Sequence, residues 1–178
     1  MPTSIVADAG DATANSFVTE ADAIAYLATR LNLSGWVTVS GSTCTEDEKK
    51  ALIEATRELS ALSWDGSRVD TTQSLSWPRA DVVNQDDPDL LEYDIDVIPV
   101  WLESATIELA HEFLKAGTTD IASADRNAGV ITKIIGPIET DWESSAARPS
   151  GLARFPRVMA LIRRYLASGS GALQVVRS

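Results

Sequence analysis

Side chains that carry acid–base or nucleophilic chemistry are scarce in this sequence. His111 is the one histidine and Cys44 the one cysteine. His111 lies close to Glu108 and Glu112, but no second histidine, cysteine or serine is placed to complete a catalytic triad. The sequence also lacks a phosphate-binding loop, a dinucleotide fingerprint, a nucleophile elbow and the paired histidines or cysteines of metal sites. We therefore predict that the protein is not an enzyme and has no catalytic, cofactor-binding or metal-binding residues.

Carboxylates are abundant, and the segment from Asp81 to Asp96 carries seven of them around a proline. The Asp-x-Asp-x-Asp-Gly pattern of a calcium loop, with its central glycine, is absent from this segment. We predict a solvated acidic loop and keep calcium binding as the alternative. For His111 we expect an ordinary surface or core position, and for Cys44 an inert or loop thiol.

Length and charge limit the class of protein. The chain has 178 residues, 44% of them hydrophobic and 23% charged, which is typical of one soluble globular domain. The net charge of −11 weighs against a protein that binds nucleic-acid phosphates. Residues 1–125 carry a net charge of −16 and residues 126–178 a net charge of +5. We expect these two parts to attract each other between neighbouring copies, to orient their contact.

Apolar periodicity predicts four helices, which indicate a mainly α fold. Thr45 and Glu48 form a capping box at the start of the main helix, which runs to Leu62. A shorter helix begins at Thr19 and ends near Leu31, and two others begin at prolines. The main-helix side chains Leu52 and Leu59, with Leu109 and Phe113 of the helix from Pro99 to Gly117, are predicted to be buried. The last helix begins at Pro156 and ends at Gly169.

Residues 130–143 change to β-branched and alternating residues, which predict a β-hairpin. Two strands alone are marginal in water, so this hairpin needs a helical body or a partner to cover it. Residues 1–15 have no periodicity and are expected to be a mobile or partner-ordered arm. The short apolar tail, residues 172–176, could add a strand to a neighbouring copy. The predicted fold is a compact helical bundle with a projecting β-hairpin and a C-terminal helix and tail.

Two tryptophan-containing turns follow the main helix. The helix carries Ala55-Thr56-Arg57, the first turn reads Trp64-x-Gly66-x-Arg68, and the second reads Leu75-x-Trp77-Pro78-Arg79. With Ala14 to Ala23 upstream and Ile98-Pro99, Ala105 and Glu108 to Ala110 downstream, this ordered set resembles the tailed-phage head-to-tail adaptor, or connector, proteins. Some members of that head completion family are described as DnaT-like single-stranded-DNA-binding proteins. The resemblance covers roughly residues 14 to 166.

The resemblance implies a structural protein of the virion, made in the host cytoplasm. Such adaptors form a dodecameric ring beneath the portal and connect the capsid to the tail. The implied partners are further copies of the chain, the portal protein and the downstream neck and tail completion proteins, with no membrane. Genomic DNA would pass through the channel without being read. The alternatives are a DnaT-like single-stranded-DNA-binding replication protein and a regulatory or scaffolding module.

Site residues follow from these interpretations. The family motif consists of Trp64, Gly66, Arg68, Trp77, Pro78 and Arg79. We expect Arg68 and Arg79 to tie the loop to the helices by hydrogen bonds, with intersubunit contacts as the alternative. We expect Trp36 to be a core or lid aromatic, with a ligand platform as the alternative. The predicted assembly interface consists of Ile134, Ile138, Trp142, Arg157, Arg163 and Arg164. The predicted division is an arm (1–15), a helical body (16–128) and an assembly segment (129–178), so a chain ending at Asn127 should still fold.

Overall fold

A long helix, α3, contacts each of the other three helices that the structure describes. The computed structural model describes residues 3–84, 92–118, 132–135, 138–141 and 151–167. Within these ranges the helices are α1 (Glu20–Ala28), α2 (Glu46–Ser60), α3 (Val100–Thr118) and α4 (Pro156–Ile162), and 3-10 turns span Gly151–Arg154 and Arg163–Tyr165. The described fold is therefore mainly α, as the sequence predicts. No helix in the described part is both long and apolar enough to cross a membrane.

Two short antiparallel pairs of strands complete the described fold. Strands β1 (Ser67–Arg68) and β2 (Arg79–Ala80) pair within the loop between α2 and α3. Strands β3 (Thr132–Ile135) and β4 (Ile138–Asp141) pair with Ile135 opposite Ile138. The second pair confirms the predicted hairpin, although its predicted ends at 130 and 143 lie outside the described residues. The apolar tail, residues 172–176, also lies outside them.

The start of α2 is as predicted. Thr45 accepts a hydrogen bond from the Glu48 amide, and the Glu48 carboxylate accepts one from the Thr45 amide, which completes the capping box. Leu52 and Leu59 are fully buried against α3, where Leu109 is also buried. Phe113 is only partly buried and makes an edge contact with Phe155. Three of the four side chains predicted to be buried are therefore confirmed.

Replacing Leu59 by Ala is expected to lower the free energy of unfolding by roughly 2–5 kcal/mol, because the cavity opens in a packed core. Leu59 is 0% exposed. Chemical denaturation would measure the change, with Leu31→Ala as the control on a fully exposed leucine. A loss below about 0.5 kcal/mol for Leu59→Ala would contradict the burial of this side of α2.

Helix α1 ends three residues earlier than the apolar pattern predicts. Its Thr19 cap is present, but the amides of Thr29 and Arg30 bond to carbonyls three residues back. This tighter turn ends the α-helical hydrogen bonding after Ala28. Leu31 was predicted to lie on the apolar face, and this prediction is wrong, because its side chain is fully exposed.

Residues 3–15 pack on the folded body, which differs from the predicted arm. The Asn15 side chain accepts a hydrogen bond from the Val6 amide at 2.9 Å and donates one to the Ser4 carbonyl at 2.8 Å. The Thr3 amide donates to Glu46 on α2, and Ile5 packs against the core. Asparagine closes this turn with its side chain, so the segment needs no helical or strand periodicity to be ordered.

The C-terminal segment contributes to the core. Helix α4 begins at Pro156 as predicted, and Val158 and Ile162 are 0% exposed where the helix packs on α3. Tyr165 in the following turn is 1% exposed. The sequence assigned this apolar side to an assembly segment. In the structure it completes the hydrophobic core of the same chain, so the described body extends beyond residue 128.

Candidate functional site

Five aromatic residues from three parts of the chain form one cluster, which we call the aromatic centre: Trp64, Trp77, Tyr93, Trp101 and Tyr165. The ring of Trp77 lies 5.2 Å from Trp101 and 5.9 Å from Trp64, both edge-on. Trp101 stacks on Tyr165 at 4.0 Å, and the Tyr165 hydroxyl lies 2.7 Å from that of Tyr93. Edge-on and stacked contacts of this kind stabilise a core beyond the area they bury. The aromatic centre therefore joins the two tryptophan turns to α3 and to the C-terminal segment.

Arg79 holds the two tryptophan turns together. Its guanidinium group donates to the carbonyl oxygens of Asp65 at 2.7 Å and Gly66 at 2.5 Å, and more weakly to those of Trp64 and Ser76. Burial and the neighbouring Arg68 lower its pKa, and Asp65 opposes this shift. A planar group with five donors suits several carbonyls around one turn. Arg79 is therefore an anchor, but all of its acceptors lie in the loop between α2 and α3, so it ties turn to turn and not the loop to a helix.

Arg68 and Gln73 order the loop between the turns. The Arg68 guanidinium donates to the carbonyls of Gln73 and Leu75. The Gln73 side chain is buried and donates to the carbonyls of Leu75 at 2.9 Å and Pro78 at 3.1 Å. The sequence analysis missed Gln73, because one glutamine in a polar loop gives no periodic signal.

The backbone conformation and close packing at position 66 require a glycine. Its φ of +71° lies in the left-handed region, and a Cβ atom there would stand 2.2 Å from the Ala80 carbonyl oxygen. A side chain at this position would therefore push apart β1 and β2. The glycine in Trp-x-Gly-x-Arg allows the two turns to meet.

The tryptophans in the described residues are buried. Trp36, Trp64, Trp77 and Trp101 are each no more than 8% exposed, and the burial of Trp36 is as predicted. A base-stacking platform needs an exposed aromatic face. In the described part of the chain, these four tryptophans form the scaffold and offer no such face.

A buried polar cluster connects α1, α3 and α4. The Glu108 side chain is 5% exposed, and its Oε1 accepts hydrogen bonds from the Tyr26 hydroxyl and the Arg30 guanidinium. His111 is 3% exposed, which places it in the core. Burial lowers its pKa because the charged ring is desolvated, although Glu112 acts in the opposite direction. No local sequence pattern indicates this cluster, because its members are far apart along the chain.

Cys44 is also buried, as an inert thiol would be. Burial raises its pKa to about 12, with smaller contributions from the carboxylates of Glu48 and Glu20. The thiol therefore stays protonated and unreactive at neutral pH.

Comparison with known proteins identifies the family of this chain. Residues 3–178 match the family model described as "Putative DnaT-like ssDNA binding protein". The chain belongs to this family. Searches of curated proteins and of solved structures found no match. The description agrees with the DnaT-like name that the sequence resemblance included, and it does not mention adaptors.

The basic residues predicted for assembly are exposed in this DnaT-like chain. Residues 151–167 contain four arginines and no carboxylate, whereas residues 3–84 and 92–118 contain 18 carboxylates and 7 basic residues. Arg157, Arg163 and Arg164 are exposed, and Arg157 lies 3.9 Å from Glu108. Positive charge gathered on one short segment favours a negatively charged partner.

The remaining predicted site residues fall at the edges of the described structure. Ile134 lies in β3 and Ile138 at the start of β4, while Trp142 lies outside the described residues. Of the acidic loop, Asp81, Asp94 and Asp96 are exposed, and residues 85–91 lie outside the described part. Among the described residues, no three His, Cys, Asp or Glu side chains come together as metal ligands.

Proposed function

We propose that this chain is a head-to-tail adaptor of a tailed phage, a structural virion protein that forms a dodecameric ring beneath the portal. Its copies connect the capsid to the neck and tail proteins and let genomic DNA pass. The proposal includes the finer fold prediction, a compact helical bundle from which the hairpin projects. The observation that supports it most is the separation of exposed arginines, on residues 151–167, from an acidic body.

Two further features support a structural role. The family motif holds turns and core together through Arg79 and the aromatic centre, so its residues are used in folding. An acidic surface facing a channel would repel DNA phosphates and limit sticking during passage. A protein whose main work is phosphate binding has the opposite charge balance.

The proposal is tested by sedimentation of the purified chain with isolated portal rings. We expect the chain to co-sediment and electron microscopy to show a closed layer on one side of the portal. Particles assembled without the chain are the control, and they should carry no tails. Particles that join heads to tails equally well without the chain would overturn the proposal.

A second candidate is single-stranded-DNA binding, which the family description favours. Arg154 lies 4.7 Å from the centroid of the partly buried Phe155 ring, close to the other exposed arginines. Single-stranded DNA binds to basic surfaces that carry aromatic side chains. Among the described residues, the surface around Arg154 and Phe155 resembles such a site. The body around it is acidic, so we rank this function second.

Fluorescence anisotropy with short single-stranded oligonucleotides separates the two candidates. We expect no tight binding at physiological salt, because the net charge of −11 repels phosphates. Arg157→Glu with Arg163→Glu is the matched variant for any binding that is found. Submicromolar affinity that falls steeply with salt and is lost in this variant would favour the DNA-binding function.

A further inference from the structure

A groove of about 1170 Å³ lies between α2, the end of α3 and the loop that precedes α2. Its apolar lining is made by Val37, Ala51, Ile53, Phe113 and Leu114. Val37 is 71% exposed, and Phe113 and Leu114 are only partly buried. Apolar side chains gathered in a surface groove are typical of a place that another protein covers.

The charged residues that line this groove are mostly acidic. They are Asp47, Glu48, Glu54 and Glu58 against Lys50 and Arg57, a net charge of −2. Lys50 bonds to Asp47 at 3.1 Å and Arg57 to Glu54 at 3.0 Å. These two pairs neutralise each other, so the net negative charge comes from Glu58 and from the buried Glu48. The groove suits a partner with an apolar ridge and basic side chains.

The exposed side of α4 offers two basic side chains with a small apolar residue between them. At 100° per residue, Arg157, Ala160 and Arg163 fall on the side opposite Val158 and Ile162, which face the core. The helix with its side chains is a cylinder about 10 Å long and about 10 Å wide, or about 800 Å³. Its exposed side is therefore small enough for the groove.

We propose that, in the ring, the exposed side of α4 of one copy docks in the α2 groove of the next copy. This inference rests on the proposed ring-forming function. The two surfaces differ, so the contact is head-to-tail and repeats until the ring closes. Charge complementarity identifies a second copy as the occupant, because the same chain carries the acidic groove and the basic helix.

Charge reversal tests the contact. The groove variant is Glu54→Arg with Glu58→Arg, and the helix variant is Arg157→Glu with Arg163→Glu. Each variant alone places like charges across every contact and should lower ring assembly on portal rings by at least about tenfold. An equal mixture should assemble again, since alternating copies restore opposite charges at both kinds of contact. Asp94→Arg with Asp96→Arg, exposed and outside the groove, is the control with the same charge change.

Cysteine cross-linking gives an independent readout. A chain with both Glu58→Cys and Ala160→Cys should form a covalent ladder when the ring is treated with a short thiol cross-linker. Either single replacement should give no ladder, because a head-to-tail contact never brings two copies of one surface together. Cys44 is buried with a pKa of about 12 and does not interfere.

The outcomes separate this inference from the proposed function. If the wild-type chain decorates portals but the double-cysteine chain gives no ladder and the mixture does not recover, the docking inference is wrong and the adaptor function stands. The same result is expected if a different protein, and not a second copy, occupies the groove. If the wild-type chain does not bind portals and the double-cysteine chain forms no ladder even at high concentration, both are wrong.

Discussion

A chain that ends at Asn127 is expected to lose the cooperative unfolding transition of the full-length protein. It lacks Val158, Ile162 and Tyr165, which are at most 1% exposed in the intact core. Removing one large buried side chain typically costs roughly 2–5 kcal/mol, and a whole domain is stable by about 5–15 kcal/mol. The truncation also exposes Trp101, whose ring stacks on Tyr165. The summed loss is as large as the total stability.

Thermal unfolding followed by circular dichroism measures this effect. The control ends at Ala167 and keeps every described residue of the C-terminal segment. It should unfold cooperatively, close to the full-length midpoint. If the chain ending at Asn127 unfolds with the same sharpness as this control, residues 16–128 are self-sufficient, as the sequence predicted. If that truncated chain failed to join heads to tails, the failure could be caused by unfolding. A tail-joining assay on it therefore cannot test assembly alone.

The helix starts could be predicted because their signals are local. The capping residues Thr19 and Thr45 and the initiating Pro156 each act within one turn of their own helix. The apolar side of α4 was also found from its spacing. What covers that side depends on how the chain folds back, which periodicity does not report. This is why the whole last helix was placed in the assembly segment, although its Val158 and Ile162 are buried where it packs on α3.

The polar interior could not be predicted for a related reason. Glu108 meets Tyr26 and Arg30 across 82 and 78 residues of chain. The hydrogen-bond partners of the Gln73 side chain are all local, namely the carbonyls of Leu75 and Pro78 and the amide of Asp70. Its burial, however, depends on the turns that Arg79 holds together. Arg79 itself was predicted as an anchor because it belongs to an ordered motif. Local pattern thus identifies which residues are structural, and the tertiary fold decides what each contacts.

The Glu48 side chain takes part both in a local helix cap and in contacts with a separate loop. Beyond the capping box, its carboxylate accepts hydrogen bonds from the amides of Val37 at 2.7 Å and Thr38 at 2.8 Å. It also accepts one from the Thr38 hydroxyl at 2.6 Å. The capping-box bond from the Thr45 amide measures 2.8 Å. The side chain is 1% exposed. It therefore fixes the loop before α2, which forms one side of the groove, to the start of the helix.

Replacing Glu48 by Ala is expected to lower the free energy of unfolding by roughly 3–6 kcal/mol. Four donors on partly exposed backbone and on the Thr38 hydroxyl lose a charged acceptor at once. A hydrogen bond to a charged group contributes about 1.5–3 kcal/mol, and water replaces part of this loss. Glu54→Ala on the exposed side of the same helix is the control, with an expected change within about 0.5 kcal/mol. Urea denaturation at neutral pH measures both. A loss for Glu48→Ala no larger than that of the control would show that water replaces the carboxylate without cost.

The same carboxylate should make stability depend on pH. Burial alone would raise the pKa of Glu48, but the hydrogen bonds from Thr38, Thr45 and Val37 outweigh it and hold the pKa below its usual value. The unfolded chain therefore binds the proton more readily than the folded one does. The stabilisation is fully present above the unfolded pKa of about 4.3 and is lost as the pH falls through the lower folded value. Glu48→Gln cannot titrate, so the free energy of unfolding of this variant should fall less steeply below about pH 4 than that of the wild type. Equal slopes for the two proteins would mean that Glu48 is not among the groups that set the acid limit of the fold.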